Sequence, residues 1–251
     1  MKVTVIGTGN VAKVLGKLIY SKGYSIVQVY GRNKISAIEL ANSLKAEGID
    51  ELSELNNTAD IYIIAVADKA IAEVCVSLNL SNKIVLHTAG SVNKNVLENV
   101  SQNFGVLYPI QSITKNFNLD STIPFLIDAS NEGTLSAIEN FSKTLSSIIH
   151  FGNDEQRMNL HIAAVFANNF VNYMYFQSAK ICEASNLDFS LLQPLIEETA
   201  FRIRHQDPNN VVTGPAKRKD TKTLEKHRAS LKNQPQLLAL YNTISNLIME
   251  S

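Results

Sequence analysis

The 251-residue chain has no tryptophan, two cysteines and no excess of charge of either sign. Cys75 and Cys182 lie in apolar, helix-patterned stretches and show neither C-x-x-C nor metal-ligand spacing. They point to buried free thiols in a reducing compartment rather than to a disulfide framework, and no metal is expected. With 23 basic and 23 acidic side chains, no global field recruits nucleic acid or an anionic membrane. No apolar run approaches the ~20 residues of a membrane span. The first apolar run is too short for a signal peptide, so a cytoplasmic protein is expected. There is no internal repeat and no low-complexity segment. What is present is an ordinary globular balance, 45% hydrophobic and 18% charged, in a length that suits one large or two modest domains.

The most informative segment is Lys2–Ala12. A short apolar strand pattern breaks at Gly7 and restarts as a helical pattern through Val14, Leu15, Leu18 and Ile19. Gly7-Thr8-Gly9-Asn10-Val11-Ala12 is thus G-x-G-x-x-A at a strand-to-helix turn, the context of a dinucleotide fingerprint. Gly7 permits the tight turn, Gly9 lets a pyrophosphate approach the backbone, and Ala12 allows close helix–strand packing. The helix N-terminus offers free N–H groups to the phosphates.

Strand-like runs recur at Val3–Ile6, Ser25–Tyr30, Ile61–Val66, Lys83–His87, Gly105–Tyr108, Pro124–Ile127 and Ile148–Phe151. Helical patterns separate most of them, which predicts a mainly parallel sheet flanked by helices; the direction of the later strands stays open. After Gly152 the patterning is helical only. Asp154–Ala184 reads as one helix roughly 45 Å long, apolar all round in its middle and therefore buried on all sides, by another helical layer or a second subunit. Further helices are expected at Phe189–His205, Thr221–Leu231 and Pro235–Met249. The expected organisation is an α/β Rossmann domain over residues 1–152 and an all-α domain over residues 153–251.

Where an NAD site carries an acidic residue after its second strand, this chain has Gly31-Arg32-Asn33. Arg32 supplies a planar cation suited to a ribose 2′-phosphate, so NADP(H) is favoured. A solvated arginine beside an Asn33 helix cap is the plainer alternative. Ligands in open α/β sheets lie beyond the carboxyl ends of the strands. There Val66-Ala67-Asp68 contributes cofactor contacts and a helix start, with Asp68 read as the cap. His87-Thr88-Ala89-Gly90-Ser91 collects an imidazole, hydroxyls and a glycine where a nicotinamide would lie. Tyr108-Pro109-Ile110-Gln111-Ser112 offers Gln111 and Ser112. Simple turn chemistry competes with contact in each loop.

On the long helix, His161, Asn168 and Asn172 fall within roughly 20° of one line at ~100° per residue. Polar groups on an apolar helix need partners. Either the stripe faces the cofactor, with His161 exchanging protons and Asn168 orienting substrate, or it is a core or intersubunit network. Farther on, Phe201–Asn233 carries nine lysines and arginines against three acids. Such a patch holds an anionic substrate group or a cofactor phosphate, or is a solvated basic face. Without aromatic platforms it does not suggest nucleic acid. Asp220 is expected to cap the helix that follows.

Taken together, these segments resemble the bacterial Rossmann-like NADP oxidoreductases with a C-terminal helical domain of unknown function. That group lies within the superfamily of 6-phosphogluconate dehydrogenase and pyrroline-5-carboxylate reductase. The resemblance spans nearly the whole chain. It is carried by the fingerprint, Gly31-Arg32-Asn33, His87-Thr88-Ala89-Gly90, Tyr108-Pro109-Ile110-Gln111-Ser112, His161–Phe170 and Thr213-Gly214-Pro215-Ala216-Lys217-Arg218-Lys219-Asp220. It implies hydride transfer from NADPH to a small substrate, an active cleft between domains, and a homodimer with the long helix at its interface. Two departures stand out. No lysine occurs between Arg157 and Ala179, so β-hydroxyacid dehydrogenase chemistry is not carried over. Lys219 stands where the pattern has glycine.

The expected activity is NADP-dependent oxidoreduction of a small carbonyl, imine or hydroxy substrate. Gly7, Thr8, Gly9, Asn10, Val11, Gly31, Arg32, Asn33, Val66 and Ala67 would hold the cofactor. His161 and Asn168 would be catalytic, with His87, Thr88, Gly90, Ser91, Gln111, Asn172 and Arg218 at the substrate. The alternatives are a non-catalytic NADP-binding sensor or scaffold, which the missing lysine favours, and a deazaflavin-dependent NADP reductase.

Overall fold

The computed structural model describes all residues, Met1–Ser251, and the chain divides into two compact units, Met1–Asn168 and Asn169–Ser251. In the first, strands β1 (Lys2–Ile6), β2 (Ser25–Tyr30), β3 (Glu47–Ile49), β4 (Ile61–Ile64), β5 (Ser81–His87), β6 (Ser101–Pro109), β7 (Phe125–Ala129) and β8 (Ile149–Phe151) form one sheet in the order β3-β2-β1-β4-β5-β6-β7-β8. Strands β1 to β6 pair in parallel, β7 runs antiparallel to β6, and β8 is parallel to β7. The first six strands have the doubly wound order, whose direction reverses between β1 and β4.

The apolar strands are buried on both faces. Along β4, Ile61 and Ile63 enter one core layer while Tyr62 and Ile64 enter the other, the two-residue alternation of a strand. Helices α1 (Asn10–Ser21), α2 (Lys34–Ser43) and α4 (Glu132–Leu145) supply Ala12, Leu15, Ile19, Leu40, Ile138 and Phe141 to the first layer. Helix α3 (Asp68–Val76) supplies Ile71, Val74 and Cys75 to the second. A smaller cluster of Val106, Tyr108 and Leu126 receives Leu160.

The seven expected strands are all present. The additional one, β3, is a three-residue edge with no apolar run, secured where Gln28 donates to Glu47 (2.7 Å) and accepts from Asn56 N–H (2.9 Å).

The long helical run is α5 (Asp154–Ala164), a π-helical segment Val165–Phe170, and α6 (Val171–Ala184). A capping box between Asn153 and Gln156 starts α5. One expectation is corrected here. A π-turn accommodates an extra residue, so the uniform 100° step that aligned His161, Asn168 and Asn172 does not run through it. Of the two covers expected for the middle of the run, a further helical layer of the same chain does not bury it: Phe166 is 64% exposed and Ile162 48%.

The second unit continues with α7 (Gln193–His205), α8 (Pro208–Val211), α9 (Thr221–Ser230) and α10 (Pro235–Glu250). Asp220 caps α9 through Thr223 N–H (3.1 Å) and hydroxyl (2.7 Å). His227–Tyr241 (2.8 Å) and Arg228–Asn242 (2.9 Å) join α9 to α10. Its buried residues are Ala216, Leu224 and Ser245. No helix of the chain is long and apolar enough to cross a membrane.

Candidate functional site

At the reversal point between β1 and β4 lies a cleft of about 980 Å³, the size of a large ligand pocket. Gly7, Thr8, Gly9, Asn10, Val11, Gly31, Arg32, Asn33, Val66 and Ala67 all line it. The structure therefore brings together the whole expected cofactor set. Tyr30, Glu51, Ser53 and Glu73, which sequence reasoning left out, line it as well, together with Asp68, expected only as a helix cap.

The turn after β1 needs its first glycine. Gly7 has φ +133°, and a Cβ there would stand 2.2 Å from the Ala65 carbonyl oxygen. At Gly9 a Cβ would meet nothing within 4 Å, so open space borders the backbone where helix α1 begins. That N-terminus has no side-chain cap, which leaves its first N–H groups for an anion. These features fit a dinucleotide. Arg32 is exposed on the cleft wall. The Asn33 side-chain Oδ1 accepts from Ser36 N–H at 2.9 Å, so Asn33 caps α2.

Beyond the neighbouring strand ends, the segment after β5 runs along one face of α5, held at every second residue. Lys94 N–H donates to Asp154 (3.0 Å), Arg157 donates to the Val92 carbonyl, and Gly90 lies against the His161 ring. Positions 154, 157 and 161 share one helix face, so the contacts form a zipper. Arg157, 1% exposed, also pairs with Asp154, and Lys94 pairs with Asp128 at 2.7 Å. Burial pushes the Asp154 carboxyl up. The Arg157 bond, the Lys94 N–H and both positive charges outweigh it and hold the pKa below the usual range.

His161 is the histidine this zipper delivers. Its Nδ1 lies 3.0 Å from Tyr108 Oη, with the rings edge-on at 76°. Burial, followed by the Asp68 charge, raises the Tyr108 pKa. Asp68 does not cap α3, whose cap position is Ala67. Its carboxylate instead accepts from Ser91 Oγ at 2.5 Å. The cleft wall is therefore tied through Asp68 and Ser91 to the loop on which His161 rests.

The other expected residues divide. His87 contributes no substrate-facing surface, which corrects its placement at the substrate. It is fully buried, its Nδ1 accepts from Ala89 N–H at 3.2 Å, and burial plus the Arg157 charge lowers its pKa to about 4. Thr88 and Gly90 are buried, and Ser91 is exposed. Gln111 is exposed and accepts from Ser112 N–H at 2.9 Å, within its own turn. Asn168 is half-buried in the π-helical segment; Asn172 is exposed in α6. Arg218 is exposed on the loop before α9. Lys219, in the glycine position of that loop, has φ +54°.

Residues 123–248 match the sequence profile described as a domain of unknown function, DUF2520. The chain belongs to this family. Residues 2–90 match the profile described as NADP oxidoreductase, coenzyme F420-dependent. Similar over 100% of this chain and 98% of its own is the "putative NADP oxidoreductase BF3122" of Bacteroides fragilis, 38% identical with a TM-score of 0.92. Protein TM1727 of Thermotoga maritima is 22% identical, TM-score 0.82, over 99% of this chain and 100% of its own. A 1-pyrroline-5-carboxylate reductase of Streptococcus pyogenes shares the fold at 12% identity, TM-score 0.68, over 100% and 99%. No curated protein matches the chain. The DUF2520 chain is thus a member of an NAD(P)-binding, oxidoreductase-like family.

Proposed function

We propose that the protein is an NADP-dependent oxidoreductase that moves a hydride between NADPH and a small carbonyl, imine or hydroxy substrate. NADPH supplies the hydride. In the reductive direction the substrate carbon accepts it, and the neighbouring oxygen or nitrogen takes a proton from His161. The observation that carries this reading is the packing of His161, on α5, against the loop that Ser91 and Asp68 tie to the cleft wall. A non-catalytic nucleotide sensor has no need of an imidazole fixed there. Fully buried His87 is unsuited to the same task.

NADP rather than NAD rests on exposed Arg32 at the end of β2 and on the lack of an acidic residue at that strand end. The apolar circumference around Phe166 and the exposed Phe170, Tyr173 and Phe176 support a homodimer through the long helix. Asn168 is proposed to orient substrate and Arg218 to meet an anionic group on it. The functional boundary proposed at Gly152 differs from the compact-unit boundary after Asn168: residues before Gly152 would bind nucleotide, and residues after it, α5 of the first unit included, would bind substrate and dimerise. The description of the profile over residues 2–90 supports a second reading, in which a deazaflavin is the hydride partner.

The test is His161→Gln. Carbonyl, imine and deazaflavin acceptors are screened by NADPH absorbance, and the variant is then compared on the accepted one. Turnover should fall by about 100-fold or more, the range of a lost general acid, with NADPH affinity retained. Unchanged turnover removes His161 from the chemistry, and NADPH that does not bind at all removes the function.

A further inference from the structure

The two ring nitrogens of His161 are not equivalent. Tyr108 Oη stands 3.0 Å from Nδ1. On the same edge, the Gly90 backbone is so close that a Cβ there would lie 2.8 Å from Cγ and from Nδ1. The phenol has a fixed address. Tyr108 is on β6, paired with Leu126 of β7, and its ring packs with Val106, Leu126 and Leu160. It is 8% exposed, whereas His161 is half-buried. The helix carrying His161 is fixed in turn by the Arg157 and Asp154 contacts one and two turns earlier. Both sides of the pair are therefore set by packing, and the hydrogen bond lies between two rigid elements.

We infer that Tyr108 is a positioning residue that keeps a proton on Nδ1 of His161 and so makes Nε2 the atom that exchanges protons with substrate. The inference rests on the reading of His161 as the proton donor. In the reductive direction the Nε2–H bond of the imidazolium breaks and its electron pair stays on Nε2. The proton forms an O–H or N–H bond on the substrate as the hydride supplied by NADPH reaches the adjacent carbon. Nδ1–H donates to Tyr108 Oη throughout, and solvent returns a proton to Nε2. The hydrogen-bond partner of one ring nitrogen decides which tautomer the other presents. Neither side chain is a metal ligand or a nucleophile in this scheme.

The tautomer is read directly from the ring 15N shifts of His161 in the full chain with NADPH bound. Tyr108→Phe keeps the buried ring and removes only the hydroxyl. The expected result is a neutral His161 held as the Nδ1–H form in the wild type. In Tyr108→Phe it should move toward the Nε2–H form that imidazole favours in water, with kcat roughly tenfold lower and NADPH affinity unchanged. A wild-type ring already in the Nε2–H form, or one whose tautomer ignores the Phe substitution, overturns the inference. Failure of the underlying reading looks different: His161→Gln retains turnover while the wild-type tautomer is still Nδ1–H.

Discussion

Gly90 and His161 are packed so closely that a single methyl group on Gly90 would lie 2.8 Å from Cγ and Nδ1 of the ring. The backbone of that loop is thus the seat of the imidazole, and Gly90→Ala must push the ring away. A displacement near 1 Å costs on the order of 100-fold in rate. The expected outcome is a large loss of kcat with NADPH binding retained, measured as turnover on the accepted substrate beside a fluorescence titration of NADPH. Retained turnover in Gly90→Ala would separate the loop from the chemistry.

Arg32 is the exposed cation on the cleft wall at the end of β2. Removing a charge-assisted hydrogen bond to a phosphate costs about 1.5–3 kcal/mol. Arg32→Ala should therefore weaken NADPH binding by roughly 10- to 100-fold and leave NADH nearly untouched. The two nucleotides titrated in parallel decide the matter, because an equal loss for both points to general damage at the α2 start.

His87 makes stability depend on pH. The unfolded chain binds this proton near 6.5, whereas burial and the Arg157 charge delay it in the fold to about pH 4. The stabilisation is complete above pH 6.5 and is lost as pH falls from 6.5 to 4. It totals roughly 3 kcal/mol at ~1.4 kcal/mol per unit. Urea midpoints across that window should drop in the wild type and drop less in His87→Gln. Parallel curves would place the titration in another group.

Lys219 is held at φ +54°, a left-handed conformation that costs a side-chain-bearing residue roughly 1–2 kcal/mol. Glycine there relieves the strain and gives back part of it through unfolded-chain entropy. Lys219→Gly should stabilise the protein by about 0.5–1 kcal/mol, seen as a higher thermal midpoint in calorimetry. A lower midpoint would mean that the lysine side chain makes a favourable interaction.

The nucleotide half was readable because its signals are local. Buried parallel strands are apolar runs, and the turn at Gly7 and Gly9 is demanded by the backbone. Asp220 capped its helix as its position promised. What escaped the sequence depends on tertiary placement. Strand β3 is an edge of three residues that exists because Gln28 reaches it. The π-turn comes from one extra residue in a helix, which no residue type announces. Nothing in the sequence singles out Arg157, which is buried because the segment after β5 closes over it. Tyr108 was visible only as the end of a strand, and its contact with His161 depends on a residue 53 positions later. His87 and His161 are the same residue type, and only burial separates a core imidazole from an accessible one.

Between Asn169 and Ser251 the buried side chains are Ala216, Leu224 and Ser245, while Leu191, Leu195, Phe201 and Leu247 are each more than half exposed. In the proposed homodimer a segment with so little interior of its own would draw stability from association, and association obeys mass action. Its melting point should then climb with protein concentration. During synthesis, the residues after Asn168 would stay protease-sensitive until a second chain is available.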